Sequence, residues 1–223
     1  MWIIIVLGAI SAALFWLFPT ADIWFSNLFY DGQGGFIHAE DPAVEFIYKS
    51  VEIFTTTVIL LLLVNLAGKF LQDKTKIVKK TKKVLPYRKT IYLLLVLTLG
   101  PGLMVHEGFK EFLSRPRPKH IVEFGGVQQY AKPFEYMANA EGKSFVSGHA
   151  AMGFYISSLA FILNNRRKKL VAYSGGIFAG TIIGLGRIIQ GKHFLSDVIF
   201  SGIFILLLAH ILYWIMFRKK KSS

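Results

Sequence analysis

The chain has 223 residues, and a composition that is 53% hydrophobic and 15% aromatic is too apolar for a soluble domain of this size. The absence of cysteine excludes disulfides, thiolate nucleophiles and metal sites with cysteine ligands. The formal charge of +13 does not indicate a nucleic-acid partner, because the basic runs are short, flank apolar segments and lack interleaved aromatic residues. The sequence therefore predicts an integral membrane protein.

The first apolar run, residues 2–18, is long enough to span a bilayer at roughly 1.5 Å per residue. No Lys or Arg precedes it and no convincing cleavage site follows, so we expect a retained helix and not a removed signal peptide. The aromatic segment after Pro19 is typical of the headgroup level and predicts an interfacial segment. A second span follows at 44–68, and the basic stretch 69–89 is predicted to be a cytoplasmic loop with a short helix.

The third span is predicted at 90–106, with its helix continuing towards Lys110. The polar stretch 110–145 then forms the longest non-apolar segment, and long loops in compact proteins are often functional. Three further spans are predicted at 148–163, 170–186 and 194–217. In the fifth span Gly176, Gly180 and Gly184 recur every four residues, which predicts close approach of a neighbouring helix.

Three basic clusters set the predicted topology. Of the 26 Lys and Arg, nine lie within 69–89, four within 166–169 and four within 218–221. Because positive charge accumulates on cytoplasmic segments, all three clusters are predicted to face the cytoplasm. We therefore expect an all-α polytopic protein with six transmembrane helices, both termini inside, and a single domain over residues 1–223.

This topology brings three groups of ionisable residues to one face of the membrane, at 110–118, 147–149 and 186–197. The charge rule used none of them, so their agreement is an independent check. Together they supply Lys110, Arg117, His149, Arg187, His193 and Asp197. A cationic pocket with two imidazoles and one carboxylate favours a dianionic phosphate.

The cations of these motifs suit phosphoryl transfer. Lys110, Arg117 and Arg187 can neutralise the charge on the equatorial oxygens of a phosphoryl group in its transition state. Ser147 and Gly148 fit the start of a helix, where free backbone amides and the positive end of the dipole bind anions. We expect these five residues to bind phosphate.

The remaining groups of the motifs suit the covalent chemistry. His193 and Asp197 are four residues apart, on one face of a helix, so the carboxylate can hold one imidazole nitrogen and leave the other for a ligand. His193 is the candidate nucleophile, and His149 is the candidate acid that protonates the leaving oxygen. Taken alone, the His193 and Asp197 pair is equally typical of a structural helix cap.

The three motifs together resemble a known signature. K-E-F-L-S-R-P-R-P reads as K-x6-R-P, V-S-G-H resembles P-S-G-H, and G-R-I-I-Q-G-K-H-F-L-S-D resembles S-R-x5-H-x3-D. In this order and spacing they are similar to the type 2 phosphatidic acid phosphatase superfamily of membrane lipid phosphatases. The match covers roughly 110–197. Val146 replaces a proline of the signature, and Gly186 replaces its serine.

The resemblance implies a role for each residue and requires no metal and no cofactor. It assigns phosphate binding to Lys110, Arg117, Arg187, Ser147 and Gly148, a phosphohistidine to His193, its orientation to Asp197, and protonation of the leaving group to His149. The change at Val146 is expected to alter only loop stiffness. The change at Gly186 removes one hydroxyl that could contact phosphate, which puts the rate in question.

Three stretches of the chain resemble the bacterial lipid A phosphatases, the 4'-phosphatase branch more than the 1-phosphatase branch. They are the segment after the first span, the S-F-V-S-G-H-A-A-M-G-F run and the G-K-H-F-L-S-D-V ending. This implies a metal-independent phosphomonoesterase of the bacterial inner membrane, with its active site facing the periplasm. Phosphatidylglycerophosphate and undecaprenyl pyrophosphate are alternative substrates. A lipid phosphotransferase and a non-hydrolytic anion-binding or transport protein are alternative functions, and the oligomeric state is not predicted.

The other cations and histidines are expected to be incidental to the chemistry. Arg115, Lys119, Lys132, Lys143 and Lys192 are predicted to be solvated rim or headgroup contacts, and His38, His106, His120 and His210 to be structural or incidental.

Overall fold

The computed structural model describes residues 1–74, 85–137 and 142–218, with the backbone alone for Lys74 and residues 104–111. The side chain of Lys110 and residues 75–84 of the predicted basic loop therefore lie outside the described residues. Every named element of the described chain is a helix, and two isolated β-bridges are the only extended pairings within it. The all-α prediction is confirmed.

The described ranges contain nine α-helices, a π-helix and three 3₁₀ turns. The α-helices are α1 (Trp2–Leu17), α2 (Thr20–Asn27), α3 (Pro42–Lys74), α4 (Tyr87–Leu97), α5 (Lys110–Leu113), α6 (Gly148–Tyr155), α7 (Leu159–Ile162), α8 (Arg166–Ile189) and α9 (Leu195–Phe217). The π-helix (Thr98–Phe109) joins α4 to α5, and the 3₁₀ turns are Pro118–His120, Val122–Phe124 and Ile156–Ser158.

Three helices of the described chain are long and apolar enough to cross a membrane, namely Pro42–Asp73, Arg166–Ile189 and Leu195–Phe217. The α1 and α2 pair, bent by 86°, makes a fourth candidate if it is counted as one span. The other two predicted spans differ from a regular helix. One changes from α4 into the π-helix around Pro101, and the other is the short run Gly148–Ile162.

The long helices extend into the basic segments. α3 continues past Gly68 to Lys74, where Lys69 Nζ lies 2.7 Å from Asp73 Oδ1 one turn later. A charge pair at this spacing supports a solvated helical turn, so the first part of the predicted loop is helix. α8 likewise starts at Arg166, where the side chain of Asn165 accepts a hydrogen bond from Lys168 N at 3.0 Å.

The glycines of α8 allow α6 to approach it closely, as predicted. A Cβ added at Gly180 would lie 2.5 Å from Phe154 Cδ1, and one at Gly153 would lie 2.5 Å from Gly180 Cα. A Cβ at Gly176 or Gly184 would likewise overlap neighbouring atoms. This packing holds the end of α8, with Arg187, beside the start of α6.

α9 is the central helix of the core and contacts α1, α4, α6 and α8. One cluster of buried side chains runs from Phe15 of α1 through Val51 of α3 to Ile205 of α9. Two buried hydroxyls are satisfied within it: Tyr92 donates to Ala209 O at 3.1 Å, and Tyr155 donates to Leu93 O at 3.3 Å. The long helices therefore share one core, and a second, smaller cluster consists of Phe36, Ile121, Phe124 and Phe194.

Candidate active site

α6 begins at Gly148, as predicted, and its start is fixed against α9. Ser147 is the N-cap, and its Oγ accepts a long hydrogen bond from Ala150 N at 3.5 Å. Its backbone N–H donates to Asp197 O at 3.3 Å, and its carbonyl accepts from Ser201 Oγ at 2.9 Å. The first turn of α6, with the backbone amide of Gly148, is thereby held in place beside His149.

His193 is buried just before α9 begins, and one of its ring nitrogens is held by the protein. Nδ1 lies 2.7 Å from the backbone carbonyl of Ser144 and 3.5 Å from Asp197 Oδ2. A carbonyl oxygen can only accept, so Nδ1 carries the proton of the neutral ring. The lone pair of neutral His193 is then on Nε2, the nitrogen that a nucleophile needs.

Asp197 is fully buried and is held by several donors at once. Its Oδ2 accepts from Ser144 Oγ at 2.6 Å and from Phe194 N at 2.7 Å, which caps α9. Ser144 thus joins the two predicted partners, because its hydroxyl contacts Asp197 and its carbonyl contacts His193. The shortest contact of His193 Nδ1 is with Ser144, a residue that sequence reasoning missed and that no motif spacing marks.

Arg115 also holds Asp197, and its prediction as a solvated rim residue is wrong. Its side chain is 1% exposed, and Nη1 lies 2.5 Å from Asp197 Oδ1 while Nη2 lies 2.8 Å from Asp22 Oδ2. Although burial opposes the charge, the two carboxylates raise the pKa of Arg115. Its guanidinium also stacks 4.4 Å from the Phe194 ring.

Arg187 is buried at the end of α8 with part of its hydrogen-bonding capacity unused. Nη1 donates to Gln190 Oε1 at 2.6 Å, and the guanidinium lies 4.5 Å from the Tyr48 ring. Its Nε is buried without a hydrogen-bond partner among the described residues. The same Tyr48 ring lies 4.4 Å from the His149 ring, so one aromatic residue of α3 packs against both predicted site residues.

A cavity of about 960 Å³ joins these groups. Its polar end is lined by Arg117, Gly148, His149, Arg187, Gln190, Lys192 and His193, and its α3 wall by Glu45, Tyr48, Glu52, Thr55 and Thr56. Apolar side chains such as Ile59, Leu63 and Leu94 line the rest. The cavity therefore combines a cationic end with an apolar extension, the chemistry of a phosphorylated lipid.

The structure brings together five of the eight predicted site residues as cavity lining: Arg117, Gly148, His149, Arg187 and His193. Ser147 and Asp197 are buried behind them and not among the lining residues. Lys110 cannot be placed, because its side chain lies outside the described residues.

Lys192, predicted to be a rim residue, is half-buried and lines the cavity. Burial, together with the neighbouring cations Lys119 and Arg117, lowers the pKa of Lys192 to about 8. Of the other predicted rim cations, Lys119 and Lys143 are exposed, and Lys132 lies 4.8 Å from the Trp16 ring. Lys192 therefore loses its positive charge as the pH rises through about 8.

Sequence reasoning also missed the contribution of α3 to the cavity. Glu45, Tyr48 and Glu52 recur at helical spacing in the first turns of a predicted span. An ionisable residue within an apolar span is a signal for a functional site, and that signal was available from the sequence.

At the two positions where the chain departs from the signature, the backbone is buried. Val146 is fully buried and belongs to the core cluster. A Cβ added at Gly186 would lie 3.5 Å from Val44 Cγ1, an ordinary contact. The site therefore has room for the serine of the signature.

Among the described residues, no group of three or more His, Asp or Glu side chains is arranged to hold a metal ion. The metal-independent mechanism is a prediction that chelation can test.

Comparison with known proteins assigns the family. The model of the PAP2 superfamily matches residues 89–221, which contain all three motifs. The chain belongs to the PAP2 superfamily. The resemblance drawn from the motifs is confirmed.

Among curated PAP2 relatives, the lipid A 4'-phosphatase of Francisella tularensis subsp. novicida is 35% identical over 224 residues, 97% of each chain. The lipid A 4'-phosphatase of Rhizobium leguminosarum is 28% identical over 84% of this chain and 83% of its own. Phosphatidylglycerophosphatase B of Bacillus subtilis is 28% identical over 51% of this chain and 52% of its own. No solved structure matches the chain.

Proposed function

We propose that this lipid phosphatase, a bacterial membrane protein, removes the 4'-phosphate of lipid A through a phosphohistidine intermediate. The proposal rests above all on His193, whose Nδ1 donates to Ser144 O at 2.7 Å while the ring lines the cationic end of the cavity. An imidazole fixed in this tautomer offers its Nε2 lone pair to a bound phosphate. The relatives of similar length support lipid A as the substrate.

The polar wall of the cavity supports a sugar headgroup. The carboxylates of Glu45 and Glu52 are acceptors for hydroxyl donors, and Tyr48 offers a ring and a hydroxyl beside them. An acylated glucosamine phosphate presents amide and hydroxyl donors near its phosphate, whereas a polyprenyl pyrophosphate presents none. The apolar part of the cavity suits acyl chains.

In the bound state, Arg117 and Arg187 hold the phosphate oxygens. The buried Nε of Arg187, which has no protein partner among the described residues, is one donor for this contact. Backbone amides at the start of α6, at Gly148, supply further donors. Lys110 is proposed as a third cation, and Ser147 as the residue that fixes the helix start.

In the first chemical step, His193 Nε2 attacks phosphorus as the bond from phosphorus to the sugar oxygen breaks. The sugar oxygen takes a proton from His149 and leaves as an alcohol. The phosphoimidazole of His193 keeps its Nδ1 proton and gains positive charge, which Asp197 stabilises at 3.5 Å.

In the second step, a water molecule attacks the phosphoryl group. His149, now neutral, takes the proton of that water, the bond from phosphorus to Nε2 breaks, and inorganic phosphate leaves. The enzyme returns to its starting protonation state.

The proposed topology has six transmembrane helices in a single domain over residues 1–223, with the active site facing the periplasm from the inner membrane. Its supports are the three basic clusters and the shared core from α1 to α9.

The test is to incubate purified protein with lipid A, phosphatidylglycerophosphate and undecaprenyl pyrophosphate and to identify products by mass spectrometry. We expect lipid A lacking the 4'-phosphate, free inorganic phosphate, and no effect of a chelator. His193→Ala should abolish turnover in a protein that still folds. Preference for either other lipid would refute the substrate, phosphate passed to a second lipid would identify a phosphotransferase, and a requirement for zinc or magnesium would refute the mechanism.

A further inference from the structure

A network of charged groups lies behind His193, outside the cavity. Arg115 is its centre, with Asp22 of α2 on one side and Asp197 of α9 on the other. Both carboxylates are 0% exposed. None of the three is among the residues that line the cavity, so the network acts on the reaction through other residues.

Every donor of the Arg115 guanidinium has an acceptor. Nε donates to Ala131 O at 2.9 Å, Nη1 to Ser196 Oγ at 2.8 Å and Asp197 Oδ1 at 2.5 Å, and Nη2 to Asp22 Oδ2 at 2.8 Å and Tyr130 OH at 3.2 Å. A guanidinium has five N–H donors, so the group is satisfied and held in one orientation.

Asp22 reaches this network from the other end of the chain and accepts on both oxygens. Oδ1 accepts from Ser196 N at 2.9 Å, and Oδ2 accepts from Ser196 Oγ at 2.5 Å and from Tyr130 OH at 3.2 Å, in addition to Arg115. Burial raises the pKa of Tyr130, which keeps its hydroxyl able to donate. Donors on every side are the surroundings that an ionised carboxylate requires.

The charges of the network do not cancel. Two carboxylates and one guanidinium leave a net charge of about −1 in a fully buried region, and an uncompensated buried charge destabilises a fold. With Asp22 neutral, Arg115 would compensate Asp197 completely. His193, whose Nδ1 is 3.5 Å from Asp197, would then lie beside a neutral pair.

We infer that Asp22 is a positioning residue that keeps this network negative, so that Asp197 stabilises the positive charge that His193 acquires on attacking phosphorus. The inference rests on the proposed nucleophilic role of His193. It gives α2, the helix that follows the bend after α1, a function in the reaction as well as in the fold.

Charged and titratable groups surround His193 on two sides, and the test changes only groups on the buried side. They are Asp197, Arg115 and Asp22 on the buried side, Arg117, His149, Arg187 and Lys192 on the cavity side, and Glu45, Tyr48 and Glu52 on the α3 wall. Substitution of Asp22 changes none of the cavity groups.

The experiment compares the dependence of kcat/KM on pH for wild-type protein and Asp22→Asn, in full-length detergent-solubilised form. We expect kcat/KM to fall about tenfold and the acid limb to move to lower pH by roughly 0.5 to 1 unit, the size of effect that one nearby charge produces. The limb moves down because His193 holds its proton less tightly when less negative charge is near. The titration of the substrate phosphate is the same in both proteins.

The double variant Asp22→Asn/Arg115→Gln restores the net charge to about −1, so its acid limb should return to the wild-type position. Ser26→Ala is the matched control, because Ser26 is also fully buried on α2 and its hydroxyl has no hydrogen-bond partner among the described residues. It should keep the wild-type profile.

The inference is overturned if Asp22→Asn keeps the wild-type acid limb, if it does not fold, or if the double variant keeps the limb of the single one. Turnover by His193→Ala would instead overturn the proposed function, so the two failures are distinguishable.

Discussion

A buried arginine lies on each side of the His193 ring, and the two arginines differ in whether all their N–H donors have protein acceptors. On the buried side, each N–H of Arg115 has a protein acceptor. On the cavity side, Arg187 leaves its buried Nε without a partner among the described residues. A buried cation with a free donor indicates a ligand site, whereas a saturated one belongs to the framework that holds the site.

Substituting the two neighbouring arginines gives the largest contrast between these sides. Arg117→Met should lower kcat/KM by about 10²–10³-fold, because a transition-state contact is lost, with an unchanged thermal midpoint. Arg115→Met should instead destabilise the fold by about 3–5 kcal/mol, because two buried carboxylates lose their counterion. Initial rates measure kcat/KM, and thermal unfolding measures stability. A destabilised Arg117→Met with an unchanged stability of Arg115→Met would contradict the comparison.

The role of His149 as a proton donor on the cavity side can be tested by changing the leaving group of the substrate. His149→Gln should lower the rate on the lipid substrate by about 10²–10³-fold, because the sugar oxygen needs a proton to leave. An aryl phosphate with a good leaving group needs none, so the loss on p-nitrophenyl phosphate should be much smaller. Equal losses on both substrates would argue against proton donation by His149.

The sequence predicts the cavity side better than the buried side, because the residues of the two sides are spaced differently along the chain. The cavity side uses His149, Arg187 and His193, which stand in short motifs whose spacing reports their chemistry. The buried side joins Asp22 to Ser196 across 174 positions. Nothing in the sequence links such distant residues, so the network could not be predicted.

Arg115 and Arg117 illustrate the same limit at close range. Both precede a proline, and they are two residues apart, so composition and local pattern treat them alike. Their environments differ only in the folded protein, where Arg115 contacts Asp22 and Arg117 lines the cavity. The fold was more predictable than the site, since apolar runs indicate helices and the glycine spacing of α8 indicates close helix packing. The irregular π-helix around Pro101 was not anticipated.

The helix packing that supports the cavity side is open to a smaller test. Gly180→Leu should destabilise the protein by about 1–3 kcal/mol and reduce activity, because a side chain there would overlap Phe154. Gly175→Leu is the matched control, since a Cβ at Gly175 meets nothing within 4 Å. Equal thermal midpoints and equal turnover in the two variants would contradict the claim that close packing at Gly180 supports the site.

The smallest predicted effect is a change of KM with pH that depends on Lys192. A lysine is charged below its pKa, so the contribution of Lys192 to phosphate binding should be present at neutral pH and lost as the pH rises through about 8. KM of the wild-type protein should therefore rise by about threefold over this range, and Lys192→Gln should flatten the rise. Lys143→Gln, at an exposed site outside the cavity, is the control and should behave as wild type. If KM rises with pH in Lys192→Gln as it does in the wild type, Lys192 does not contribute to phosphate binding.

The central claim is that His193 forms a covalent bond to the phosphoryl group. The most direct measurement is to quench turnover of the wild-type protein in alkali, which preserves a phosphorus to nitrogen bond, and to locate the phosphate by mass spectrometry of peptides. We predict phosphate on His193, lost on acid treatment and absent in His193→Ala. Phosphate on another residue, or no phosphoenzyme under saturating substrate in either wild-type or His149→Ala protein, would contradict the mechanism.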